Sequence, residues 1–81
     1  MSAANREYEL KIRRGGRGPA LLAGGDRADH VEVVEIATGE VELFWDTRPS
    51  QTGRLSRALR ADLAQLEPVE FMAKWRRWQA D

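Results

Sequence analysis

A chain of 81 residues with 42% apolar and 32% charged side chains has room for one domain, and too much apolar content for wholesale disorder. It has no cysteine and a single histidine, which excludes disulfides, thiolate metal sites and any histidine-rich metal centre within one copy. Its formal net charge is zero, but residues 1–18 carry net +3, residues 19–47 net −6 and residues 48–81 net +3. The first expectation is therefore internal pairing between an acidic middle and basic ends; the functional alternative is a basic patch offered to an acidic partner.

The N-terminal residues contain no apolar stretch of signal-peptide length, and the apolar run Pro19 to Ala23 is far too short to span a bilayer. A cytoplasmic protein with no membrane partner is expected. Arginine outnumbers lysine 11 to 2, and with abundant alanine this suggests a GC-rich, bacterial genome. That bias has no functional weight. A domain this small buries a limited core, and with disulfides and metals removed the expected support is self-association.

Residues 6–13 alternate: Tyr8, Leu10 and Ile12 against Glu7, Glu9, Lys11 and Arg13, the pattern of a half-buried strand. The stretch Arg14-Gly15-Gly16-Arg17-Gly18-Pro19 reads as loop. Residues 20–23 could form a short returning strand, ended by Gly24-Gly25-Asp26, so the sheet has three or four strands. The Arg14–Gly18 loop resembles an arginine–glycine box, yet it is single and lacks interleaved aromatics. A basic hairpin connection is the simpler account.

Next comes a hairpin, with strands over 30–36 and 41–46 flanking Ala37-Thr38-Gly39-Glu40, where Gly39 can supply a positive φ. Pairing Ile36 with Val41, Val34 with Leu43 and Glu32 with Trp45 puts Val34, Ile36, Val41, Leu43 and Trp45 on the core face. Glu35 and Glu42 then share the outer face, which only solvent or a basic partner would tolerate. In that register Val33 and Phe44 also face outward, with Val31 nearby. They are either covered within the chain, turned inward by a β-bulge near Val33-Val34, or left as a protein interface of Val31, Val33 and Phe44.

Beyond Thr47 the period becomes helical. Thr47 or Asp46 can cap a helix over 49–66 with Pro49 in its first turn, Ser50 being the alternative cap. Leu55, Leu59, Leu63 and Leu66 form one stripe. Pro68 kinks or separates the helix from a second one over 68–79, which stripes Phe71, Met72, Trp75 and Trp78. A tryptophan–arginine segment at 74–78 could suit a membrane surface, but an aromatic stripe at this spacing is more often core. The fold predicted is α+β: an antiparallel sheet of three or four strands, followed by two C-terminal helices packed on one face.

Arg54, Arg57 and Arg60 line one side of the first helix. With Lys74, Arg76 and Arg77 they could make a basic surface for nucleic acid, although zero net charge argues against a dedicated binder. Asp26, Asp29 and His30 are too few for a metal site, and His30 is the one histidine that could serve a nucleophile. No catalytic residue, cofactor or small-molecule substrate is expected, and an enzyme ranks last. The leading expectation is a non-enzymatic accessory or protein-interaction module that forms a homodimer or binds another protein. Its contact would be the sheet face around Val33 and Phe44, or an open strand edge.

Overall fold

The computed structural model describes residues 2–13 and 28–79. The Arg14–Gly18 loop, the candidate strand at 20–23 and Asp26 lie outside those residues. A 3-10 turn at Ala4–Arg6 leads into β1 (Tyr8–Arg13), followed by β2 (Asp29–Glu35), β3 (Val41–Thr47), α1 (Pro49–Gln65) and α2 (Pro68–Arg76). The three strands form one antiparallel sheet in the order β1-β2-β3, with both helices after it. This is the α+β arrangement that the change from period 2 to period 3.6 predicts.

The pairing of β2 with β3 differs from the expected one. Val33 lies opposite Leu43, Val31 opposite Trp45 and Glu32 opposite Phe44, and a bulge separates these pairs from Val34 opposite Val41. Glu42 is thus the extra residue. The hairpin loop is closed by Glu35, which donates to the Glu40 carbonyl (2.8 Å) and accepts from Gly39 N–H (2.7 Å). Gly39 takes φ +78°, the left-handed conformation that glycine adopts without a Cβ clash.

The core face therefore carries Val31 and Val33, both fully buried, with Leu43 and the half-buried Trp45. The expected core residues Ile36 and Val41 are instead about half exposed, at 51% and 50%. The physical reason lies in β1. Leu10 pairs with Val33 and Ile12 with Val31, so the inward parity of β2 is the one that continues the apolar stripe of β1 across the sheet.

Against this face α1 buries Thr52, Ser56, Leu59 and Leu63, with Leu55 and Leu66 packed at the margin. From α2 come Phe71, Met72 and Trp75. Burying each large apolar side chain is worth about 1.5–3 kcal/mol. Pro68 separates the helices: Leu66 and Glu67 are extended, and Glu67 and Glu70 form a capping box at the start of α2. The Ala4 N–H, buried below, donates to the Leu66 carbonyl at 2.7 Å and ties the N-terminus to this corner.

The start of α1 is secured differently from the expected cap. Arg48 holds the cap position and makes no side-chain cap bond. Instead the Thr52 hydroxyl donates to the buried Asp29 carboxylate (2.6 Å) and lies 2.8 Å from the Thr47 hydroxyl. The first turn of α1 is thereby pinned to the ends of β2 and β3.

Candidate interaction surface

The two edges of the sheet are treated unequally. Along β3, the Phe44 N–H donates to Gln79 Oε1 at 3.0 Å, and Gln79 Nε2 donates to the Phe44 carbonyl at 2.5 Å. Two residues away, Arg76 reaches Glu42 at 3.1 Å. The end of α2 and the turn after it thus occupy the middle of this edge, and the bulge at Glu42 distorts the rest of it.

No such element pairs with β1 among the described residues. The direction of its backbone groups follows from Phe44. Because Phe44 points its N–H and C=O away from β2, its partner Glu32 points them towards β1, where it meets Lys11. Alternation then turns the N–H and C=O of Leu10 and Ile12 outward, away from the sheet. Beside them runs a groove of about 640 Å³ between β1 and α1. Tyr8, Leu10, Ile36 and Leu63 line it together with the polar side chains of Asn5, Glu9 and Arg60.

Tyr8 stacks on Phe71, ring centroids 6.2 Å apart. Burial raises the Tyr8 phenol above its ordinary value of 10.0, and the carboxylates of Glu7, Glu35 and Glu42 push it the same way. The hydroxyl is therefore held in its neutral form at neutral pH.

Of the three residues expected to form an apolar interface, Val31 and Val33 are corrected: both are core residues, turned inward by the register shift. Phe44 alone stays on the outer face, 41% exposed. It stacks on His30 at 5.4 Å, and His30 Nδ1 lies 2.6 Å from an Asp46 oxygen. The β-bulge expected as one alternative near Val33-Val34 is present, opposite them on β3.

The basic residues divide into two groups. Arg54, Arg57 and Arg60 are exposed on α1, with no ion pair among the described residues. Lys74 pairs with Asp62 at 2.6 Å and Arg76 with Glu42, while Arg77 is exposed. The same Asp62 carboxylate accepts from Trp75 Nε1 at 3.0 Å. Two of the three basic residues expected on the second helical segment, Lys74 and Arg76, are therefore spent holding α2 to α1 and to β3.

Trp75 is buried edge-on against Trp45, centroids 5.8 Å apart, whereas Trp78 is 68% exposed and leaves the expected core stripe. Asp29 and His30 do not converge: Asp29 is buried against Thr52 on the core side, and His30 lies on the outer face against Phe44. Glu35, Glu40 and Glu42 bring oxygens within 4.8 Å of one another at the hairpin end, where Arg76 pairs with Glu42. No helix among the described residues is long and apolar enough to cross a membrane.

What sequence reasoning missed was the inequality of the edges, because Gln79 and Phe44 lie 35 residues apart and neither belongs to a motif. No family model matches this chain, and neither a curated protein nor a solved structure does.

Proposed function

We propose that this chain is a small non-enzymatic interaction module that binds by adding a β-strand to the outer edge of β1. The incoming segment is extended, and it presents apolar side chains at alternate positions to the groove beside α1. One observation carries this reading: the β3 edge is filled by Gln79, while β1 points the N–H and C=O of Leu10 and Ile12 beside a groove of mixed lining, in which Tyr8, Leu10, Ile36 and Leu63 supply the apolar part. Strand addition takes its affinity from backbone hydrogen bonds and its selectivity from alternate side chains. A cytoplasmic setting belongs to the same proposal and is supported by the lack of cysteine.

The test is Ile12→Pro. This change removes an outward N–H rather than a rung of the β1–β2 ladder, and proline is tolerated at such edge positions. Ile12 is also outside the packed cluster. The expected result is a chain with wild-type circular dichroism that no longer forms its complexes in sedimentation and no longer protects the Leu10 amide. Wild-type assembly and exchange in Ile12→Pro would contradict strand addition.

A second reading, nucleic-acid binding along α1, is supported by the exposure of Arg54, Arg57 and Arg60 with no ion pair among the described residues. It ranks lower because Lys74 and Arg76 are engaged internally.

A further inference from the structure

We infer that the strand added to β1 is β1 of a second copy, antiparallel to the first, with the two-fold axis passing at Leu10. The inference rests on the strand-addition reading and names its partner. It follows from the order of charges in Glu7-Tyr8-Glu9-Leu10-Lys11-Ile12-Arg13. Read outward from Leu10, each position on one side has its complement on the other: glutamate against lysine, tyrosine against isoleucine, glutamate against arginine.

Antiparallel pairing about Leu10 sets Leu10 opposite its own image and Tyr8 opposite Ile12 of the other copy. Glu9 meets Lys11, and Glu7 meets Arg13, twice each by symmetry. The backbone agrees. Tyr8, Leu10 and Ile12 are the residues whose N–H and C=O turn outward, and this register pairs those residues with one another.

Neighbouring registers are worse. An axis at Glu9 or at Lys11 sets a like charge against itself at the centre. An axis at Tyr8 pairs Glu7 with Glu9, and one at Ile12 pairs Lys11 with Arg13. Directly opposed like charges destabilise a ladder, whereas unlike ones support it. Charged side chains usually guard an exposed edge against pairing. In β1 they are of both signs, in an order that selects one alignment.

The apolar side gains as well. Tyr8, Leu10 and Ile12 are half-buried in one copy, and their images would lie along the groove lined by Leu63. The product is a six-stranded sheet with all helices on one face. With β3 closed by Gln79, its outer edges do not propagate further.

The experiment is sedimentation equilibrium on the full chain, using the wild type, Glu9→Lys, Lys11→Glu and a one-to-one mixture of the two variants. Glu9 faces Val34 across the ladder, so Glu9→Lys leaves the fold of one copy intact. Lys11→Glu adds a carboxylate opposite Glu32, and its circular dichroism is checked first. The wild type is expected to be a dimer, each variant to dissociate at least about tenfold more readily, and the mixture to recover wild-type affinity.

A wild-type chain that stays monomeric at every concentration overturns the second copy as partner. So does a dimer that Glu9→Lys leaves unchanged, or a mixture that does not recover. If such a dimer is still dissociated by Ile12→Pro, strand addition stands in another register. If Ile12→Pro leaves it intact, both readings fail.

Discussion

The side-chain amide of Gln79 takes the place of a neighbouring strand at Phe44, accepting its N–H at 3.0 Å and donating to its carbonyl. A primary amide has the same donor and acceptor groups as a peptide unit, so one glutamine satisfies one rung. The edge that would otherwise recruit another chain is occupied at its centre.

Replacing Gln79 with alanine is therefore expected to cost about 1 kcal/mol and to speed amide exchange at Phe44. With the β3 edge then open, sedimentation should show species heavier than the wild-type assembly. An unchanged exchange rate at Phe44 would show that the clamp is not made in solution.

Asp62 serves two partners, Lys74 Nζ at 2.6 Å and the Trp75 indole N–H at 3.0 Å, and its side chain is 18% exposed. Asp62→Ala leaves the indole donor of the buried Trp75 without an acceptor. The expected loss is about 1–3 kcal/mol in urea unfolding. Lys74→Ala removes only a half-exposed cation and should cost less than about 1 kcal/mol. Equal losses in the two variants would count against the indole bond.

Tyr8 is the only tyrosine, so its ionisation can be followed alone by ultraviolet difference absorbance. Its titration midpoint should lie above 10.0 because burial, helped by Glu7, Glu35 and Glu42, disfavours the phenolate. The unfolded chain then releases this proton at lower pH than the folded one. Stability is unaffected well below pH 10 and falls as pH rises from about 10 towards the folded midpoint. Tyr8→Phe should remove that part of the alkaline loss, and a midpoint at or below 10.0 would refute the assignment.

The arginine ridge on α1 gives a test between the two readings. If Arg54, Arg57 and Arg60 face only solvent, changing all three to glutamate should leave single-stranded nucleic acid binding at low salt as absent as in the wild type. Wild-type binding that falls steeply with salt and vanishes in the triple variant would bring the nucleic-acid reading forward.

Much of the architecture was legible in the chain because periodicity is a local property. Alternation marked β1, leucine spacing marked α1, and Pro68 marked the helix boundary, although its choice between kink and separation needed the extended Leu66 and Glu67. The candidate site was half legible. An open strand edge could be anticipated, but not which one, since the occupant of the β3 edge comes from the far end of the sequence.

The sequence by itself determined the order of strands and helices, the leucine side of α1, the Phe71, Met72 and Trp75 side of α2 and the self-complementary charges of β1. Tertiary structure decided the face of β2. Its run Val31-Glu32-Val33-Val34-Glu35-Ile36 offers apolar residues in both parities, so a two-residue period leaves the choice open. Leu10 and Ile12, brought alongside from β1, give Val33 and Val31 apolar neighbours, and the bulge at Glu42 lets Leu43 and Trp45 join them.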